Sequence, residues 1–195
     1  MPARAPEWNA IILAGGRASR LGGIDKTQLT FRGRTLLQAS LTATRSASRV
    51  AVVGRDLERT ARLSSTVELP RWSGPVSAVV AGLADLRHGD APFTAVLAAD
   101  LPRIDLALPL IIARLATAAT DGVIAVDSGS VPQPLLAVYR TSALRNAAAG
   151  LGTPENLPMR RLISELELTE VAVPDELCAD VDTAEDAEAL GIDVA

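Results

Sequence analysis

The sequence has little cysteine, little histidine and few aromatic residues, and each shortage excludes a class of protein. Cys178 is the single cysteine in 195 residues, so an internal disulfide is excluded and a reducing, cytoplasmic location is expected. His88 is the single histidine, which excludes zinc or iron sites built on several histidines. A Ser-His-Asp or Cys-His catalytic centre would have to use His88, whose polar surroundings are typical of a helix end. Because aromatic residues make up only 3% of the chain, the core must be aliphatic.

Long apolar runs and an excess of positive charge are also missing. The longest stretch without a charged residue is 72–84, whereas a membrane-spanning helix needs about 20 apolar residues. The net charge of −4 argues against an extended nucleic-acid interface, which requires a basic face. We therefore expect small-molecule substrates, no membrane or nucleic-acid partner, and a monomer or a weak homo-oligomer.

Apolar runs of strand length alternate with segments of helical periodicity. Strands are predicted at 9–15, 49–54, 66–69, 93–100, 122–127, 134–140 and 168–173, and helices at 34–47, 56–63, 75–88, 105–119, 141–149, 157–166 and 183–190. Most strands are aliphatic without polar alternation, which is typical of a parallel sheet covered on both faces. The pattern predicts an α/β fold, a three-layer α/β/α Rossmann-like sandwich in a single domain. The segment between the strands at 122–127 and 134–140 is too short for a parallel crossover, so we expect an antiparallel strand there.

The first strand runs into a glycine-rich, basic loop. Residues 13–26 read LAGGRASRLGGIDK, and they contain Lys26, the single lysine among nineteen basic residues. Glycines let backbone N–H groups approach phosphate oxygens, and arginine and lysine side chains supply the compensating charge. The spacing is that of neither a P-loop nor a GxGxxG turn. We predict a nucleoside triphosphate site that uses Gly15, Gly16, Arg17, Arg20, Gly22, Gly23 and Lys26.

Two aspartates are candidate metal ligands. Asp100 follows the strand at 93–100, and Pro102 favours an extended conformation at the residue before it, which helps to end the strand. A carboxylate at a strand's carboxyl end beside a nucleotide suits Mg²⁺, which takes one or two carboxylates together with substrate phosphates. Asp182 is the second candidate, although it or Thr183 could instead cap the helix that follows.

These motifs resemble those of nucleotidyltransferases with the nucleotide-diphospho-sugar transferase fold, and most of all the molybdenum cofactor guanylyltransferases. The resemblance is carried by the loop at 13–26 and covers most of the chain, since further landmarks recur in order. These are GPVSAVVAGL (74–83), AADLPRI (98–104), QPLLAVY (133–139), MRRLI (159–163) and DVDTAEDAEAL (180–190). It implies a nucleotide-binding part at about 8–104 and an acceptor-binding part at about 105–195.

The resemblance also implies roles for individual residues. Leu13, Ala14 and Gly15 would line the base, Arg20 and Lys26 would hold the phosphates, and Asp100 would bind Mg²⁺, with Mn²⁺ as an alternative. Glu68 stands near the position of an acid that reads the guanine edge, and a carboxylate can accept both the N1–H and N2–H of guanine. Gly74 matches a GPLAG turn, although Ser77 and Ala78 replace its Ala-Gly pair. Asp180 and Asp182 stand where the family usually has asparagine.

The function implied is transfer of GMP from GTP to molybdenum-molybdopterin, with release of pyrophosphate. Three alternatives stay open. A related enzyme could use CTP or another nucleotide with a different phosphorylated acceptor, because it would share the catalytic residues. A non-catalytic nucleotide-binding module and a Rossmann dehydrogenase are less favoured, the second because of its different glycine spacing.

Overall fold

A seven-stranded mixed sheet organises the structure, a computed structural model that describes residues 6–16, 25–87, 91–181 and 183–192. The strands are β1 (Trp8–Leu13), β2 (Thr30–Phe31), β3 (Arg34–Thr35), β4 (Val50–Val53), β5 (Leu63–Thr66), β6 (Phe93–Ala98), β7 (Gly122–Val126), β8 (Pro132–Arg140) and β9 (Leu168–Ala172). Their order across the sheet is β5-β4-β1-β6-β8-β7-β9, and β2 and β3 form a separate hairpin. In the described sheet only β8 runs antiparallel to its neighbours, as the short connection from β7 predicts.

Helices cover both faces of the sheet. They are α1 (Leu36–Ala43), α2 (Pro75–Asp85), α3 (Ile104–Leu115), α4 (Thr141–Gly150), α5 (Met159–Leu162), α6 (Asp175–Cys178) and α7 (Ala184–Leu190). On one face Ile12 and Leu97 pack among residues of α1 and α3, such as Leu37 and Ile111. On the other face Ile11 and the side chains beside it pack against α2, α4 and α5. The predicted three-layer α/β/α sandwich with an aliphatic core is therefore confirmed.

The helix predicted at 56–63 is wrong, because local side-chain hydrogen bonds occupy the backbone groups that a helix would use. Thr60 Oγ1 accepts from the backbone N–H groups of Arg62 (3.3 Å) and Leu63 (2.9 Å). Ser65 Oγ donates to the Leu57 carbonyl and accepts from the Leu57 N–H. Hydroxyl groups of this kind compete with helical hydrogen bonding. Strand β5 consequently begins at Leu63, three residues before the start predicted for it.

Helix ends differ from the predictions where caps and turns intervene. The helix expected at 34–47 begins at Leu36, because Thr35 caps it in a reciprocal capping box with Gln38. Residues before it form the β2–β3 hairpin, whose turn at Arg32–Gly33 has positive φ angles. The helix expected at 157–166 is reduced to the single turn of α5. Among the described residues no helix is long and apolar enough to cross a bilayer.

Candidate active site

Four strands end together at one edge of the sheet. Leu13 at the end of β1 is in register with Val53 of β4 and Ala98 of β6, and Val53 is in register with Thr66 of β5. The residues that follow these strands therefore meet at the same edge. Since β4 and β6 flank β1 on opposite sides, this edge is where open α/β sheets bind ligands.

Two glycines make a close backbone contact at this edge. Gly54 follows β4 with φ +96°, and a Cβ placed on it would lie 2.5 Å from the Gly15 nitrogen. A Cβ on Gly15 would lie 3.3 Å from the Gly54 Cα, whereas one on Gly16 would meet nothing within 4 Å. The loops after β1 and β4 thus touch through bare backbone, which a side chain at Gly54 would prevent. Gly16 faces open space beside them.

Two adjoining cavities open at the strand ends, and both are lined by Gly15, Gly16, Glu68 and Trp72. The Asp100 cavity, of about 320 Å³, is lined in addition by Leu13, Gly74, Pro75, Ala78, Ala98, Asp100 and Leu135. The Arg55 cavity, of about 300 Å³, is lined in addition by Ala14, Asp25, Gly54, Arg55, Val67 and Arg71. Seven of the residues predicted to bind nucleotide, namely Leu13, Ala14, Gly15, Gly16, Glu68, Gly74 and Asp100, therefore lie around one continuous region.

Lys26 and Asp100 converge beside these cavities. Their side chains form an ion pair, with 3.6 Å between Lys26 Nζ and Asp100 Oδ2, and each side chain is about one-fifth exposed. Lys26 begins a short 3-10 turn that Asp25 caps, while Asp100 lies two residues beyond the end of β6. Residues 74 positions apart thereby place a cation, which can contact a phosphate group, beside a carboxylate, which can hold a metal ion.

Arg55 ties the turn that carries Lys26 to the end of β4. Its Nε and Nη2 donate to Thr27 Oγ1 at 3.2 and 2.8 Å, and its guanidinium forms an ion pair with Asp25. Thr27 in turn donates to Asp25 Oδ1 from its hydroxyl (2.8 Å) and its N–H (3.1 Å). Arg55 was not predicted from the sequence, although a charged residue two positions beyond the end of the buried strand β4 was a usable signal. Arg55 thus contacts Asp25 and Thr27, the residues directly before and after Lys26.

Glu68 lies between the two cavities, two residues beyond the end of β5, whereas the strand predicted at 66–69 would have contained it. It is only 7% exposed, and its Oε1 accepts the Trp72 N–H at 2.8 Å. A carboxylate has about four acceptor positions, so the bond to Trp72 leaves capacity for N–H groups of a ligand.

Gly74 connects the site to the C-terminal half of the chain. Its φ is +94°, and a Cβ there would lie 3.4 Å from the Asn156 Cα. The Asn156 N–H donates to the Ser73 carbonyl at 2.6 Å, which closes this contact. Ser77 Oγ also donates to the Ser73 carbonyl, at 3.2 Å. Gly74 is thus needed for its backbone angle, and Ala78 lines the Asp100 cavity with a small side chain.

Several predicted site residues lie outside the described residues: Arg17, Arg20, Gly22, Gly23 and Asp182. The capping role that was considered for Asp182 is filled by Thr183, whose side chain accepts from the Asp186 N–H at 3.1 Å. Among the described residues no group of three or more His, Cys, Asp or Glu side chains could hold a metal ion. A Mg²⁺ ion held by Asp100 would therefore take most of its ligands from phosphate oxygens and water.

Two residues of the QPLLAVY motif, Gln133 and Tyr139, have structural roles. Tyr139 is fully buried in β8, and its hydroxyl donates to the Pro134 carbonyl at 2.9 Å. Burial raises the pKa of this phenol, so it stays protonated. Gln133 donates to Asp127 Oδ2 at 3.1 Å. Arg160 and Arg161 are exposed on α5.

Comparison with known proteins places this geometry in a family. The family model for the MobA-like NTP transferase domain matches residues 10–171. A molybdenum cofactor guanylyltransferase of Pseudomonas putida is 32% identical over 180 residues, covering 87% of this chain and 92% of the relative.

Solved structures show the same fold. The molybdopterin-guanine dinucleotide biosynthesis protein A of Archaeoglobus fulgidus superposes with a TM-score of 0.64 at 23% identity, over 93% of this chain and 96% of that one. The 2-C-methyl-D-erythritol 4-phosphate cytidylyltransferase of Francisella tularensis gives a TM-score of 0.71 at 11% identity, over 95% and 98% of the two chains. Since the family model spans most of the sequence and the curated relative covers nearly its whole length, this chain belongs to the MobA-like NTP transferase family and is a nucleotidyltransferase.

Proposed function

We propose that this enzyme transfers GMP from GTP to the terminal phosphate of molybdopterin carrying molybdenum, and releases pyrophosphate. The observation that carries the proposal is the Lys26–Asp100 pair beside cavities lined by Gly15 and Gly16. Bare amide groups and a cation suit a triphosphate, and a carboxylate suits its metal ion. The curated relative named as a molybdenum cofactor guanylyltransferase supports the choice of nucleotide and acceptor.

The reaction is an in-line displacement at phosphorus. A terminal phosphate oxygen of the acceptor attacks the α-phosphorus of GTP and forms a new P–O bond. The bond from the α-phosphorus to the bridging oxygen breaks, and its electron pair leaves with pyrophosphate. Such reactions depend on positioning and charge neutralisation, with no covalent intermediate on the protein required.

Lys26 is assigned to the departing pyrophosphate. The network of Asp25, Thr27 and Arg55 holds the turn that carries Lys26, and the Lys26 ammonium lies 3.6 Å from Asp100 Oδ2, so the cation is placed before the substrate arrives. A preorganised cation of this kind stabilises charge that develops in the transition state. Arg20, which lies outside the described residues, is assigned a second phosphate contact.

Asp100 is assigned to a divalent metal ion, which we expect to be Mg²⁺. Bound together with substrate phosphates, the ion would neutralise phosphate charge and orient the oxygens. Lys26 Nζ lies 3.6 Å from Asp100 Oδ2, so the lysine is in place to neutralise this carboxylate before the metal and nucleotide bind.

Glu68 is assigned to the guanine edge. It is buried between the two cavities, and guanine offers an N1–H and N2–H pair that a carboxylate can accept, whereas cytosine does not. The second candidate function is cytidylyl transfer to a different phosphorylated acceptor, which is favoured by the fold shared with the Francisella cytidylyltransferase.

Product analysis tests the proposal. The enzyme is incubated with Mg²⁺ and either GTP or CTP, together with molybdenum-molybdopterin or other phosphorylated acceptors, and the products are identified by mass spectrometry. We expect a guanine dinucleotide and pyrophosphate, and formation of a cytosine product alone would refute guanylyl transfer. Lys26→Ala should lower turnover by about 10²–10³-fold. Arg114→Ala is the control, because Arg114 is exposed in the last turn of α3, at the end of that helix away from Asp100.

A further inference from the structure

Trp72 is an exposed aromatic residue in a chain that has few. The sequence contains two Trp, one Tyr and two Phe, of which Trp8, Phe93 and Tyr139 are buried. Trp72 is 54% exposed and lines both the Asp100 cavity and the Arg55 cavity. A single exposed apolar side chain needs no explanation by itself. Trp72 is informative because it lies between the two cavities.

The backbone holds Trp72 in an unusual conformation. Its φ is +61°, a region that a bulky side chain rarely adopts, and the Glu68 carboxylate accepts its N–H at 2.8 Å. A second hydrogen bond spans Trp72 in the chain: Ser73 Oγ donates to the Pro70 carbonyl at 2.6 Å. Residues kept at such angles by their surroundings are concentrated at functional sites. The strained backbone therefore supports a role for the indole at the cavities.

Glu68 and Trp72 offer complementary contacts to a purine. A carboxylate recognises the N–H edge of the base, and an indole offers an apolar face on which a planar ring can stack. Both residues line both cavities, and the hydrogen bond between them fixes their relative position. Gly15 and Gly16 line the same space, and a Cβ on Gly16 would meet no atom within 4 Å.

We propose that Trp72 is a binding residue that stacks on the purine base of the nucleoside triphosphate, while Glu68 contacts the edge of that base. The inference deepens the proposed function and rests on its assignment of GTP as the nucleotide. Stacking between a base and an aromatic side chain contributes a factor of about 5–150 in affinity. Removing the indole should weaken the binding of the base without affecting the phosphate contacts of Lys26.

The test compares Trp72→Leu and Trp72→Phe with the wild type, using GTP and inorganic triphosphate with Mg²⁺ as ligands in calorimetric titrations. Trp72→Leu should raise the Kd for GTP by about 10-fold or more, and Trp72→Phe should restore most of the affinity. The Kd for inorganic triphosphate should be the same in all three proteins. Leu69→Ala is the matched control, since Leu69 is 83% exposed in the same loop and lines neither cavity.

Intrinsic fluorescence gives an independent readout. Trp8 is 4% exposed within β1, so quenching of tryptophan emission by GTP should come from Trp72 and disappear in Trp72→Phe. Unchanged GTP affinity in Trp72→Leu would overturn the inference, as would an equal loss of GTP and triphosphate binding. A raised KM for the acceptor with normal GTP binding would also overturn it, by assigning the indole to the acceptor ring. Failure of the proposed function is distinguishable, because it would appear as the absence of guanine dinucleotide from the wild-type enzyme.

Discussion

Replacement of Gly54 by alanine tests the close contact on which the site is built. A Cβ at this position would lie 2.5 Å from the Gly15 nitrogen, and the backbone φ is +96°. A side chain at such an angle costs about 1–3 kcal/mol, and forced overpacking costs about the same again. The total of about 2–6 kcal/mol is a large part of the roughly 5–15 kcal/mol that stabilises a typical domain. For a chain of this length, the melting temperature should fall by roughly 5–20 °C.

Two neighbouring glycines provide matched controls. A Cβ on Gly15 would lie 3.3 Å from the Gly54 Cα, and one on Gly16 would meet nothing within 4 Å. Gly15→Ala should therefore cost about 1 kcal/mol, and Gly16→Ala should melt close to the wild type. Thermal unfolding without nucleotide, followed by circular dichroism, gives the order of the three variants' melting temperatures. If Gly54→Ala melted within about 2 °C of Gly16→Ala, the role assigned to this contact would be refuted.

Three further substitutions test the hydrogen bonds of Arg55, the pH dependence of stability that comes from Asp175, and the buried hydrogen bond of Tyr139. Arg55→Lys should lower kcat on the order of 10-fold with little change in melting temperature, because an ammonium cannot reproduce both guanidinium bonds to Thr27. Unchanged steady-state kinetics would contradict this prediction. The pKa of Asp175 is lowered by hydrogen bonds from the Ser128 hydroxyl and N–H, so its contribution to stability is present at neutral pH and lost as pH falls through the lowered pKa. Asp175→Asn should consequently lower the urea midpoint at pH 7 and have less effect in acid, and an equal effect at both would be inconsistent with the linkage. Tyr139→Phe removes a hydrogen bond to a backbone carbonyl and should cost about 1 kcal/mol in urea unfolding, whereas no change would show that solvent replaces the bond.

Short-range sequence patterns predicted the sheet well where hydrophobic runs and connection lengths were decisive. β4 and β7 are uninterrupted apolar runs, and β1 and β6 contain one polar residue each. β8 had to be antiparallel because the connection before it is short. The pattern failed at 56–63, where residues of ordinary helical periodicity form turns. Hydroxyl groups of Thr60 and Ser65 bond the local backbone, and periodicity does not register such bonds.

The sequence also predicted which residues belong to the site more readily than how they are arranged. The glycine-rich loop and Asp100 were recognisable because each follows an apolar strand, and the ends of parallel strands share one edge. Arg55 was missed because its partner Thr27 is 28 residues away, and only the pairing of β1 with β4 brings them together. The assignment of catalytic and binding roles to these residues stays a prediction.

Local composition and periodicity are enough to predict a three-layer α/β chain with an aliphatic core and a basic, glycine-rich loop after its first strand. Three contacts depend on the folded chain: Lys26 pairs with Asp100, the Gly15 backbone contacts Gly54, and Trp72 lines both cavities. Those contacts depend on strand order and register, which bring distant segments within a few ångströms and which no local pattern encodes.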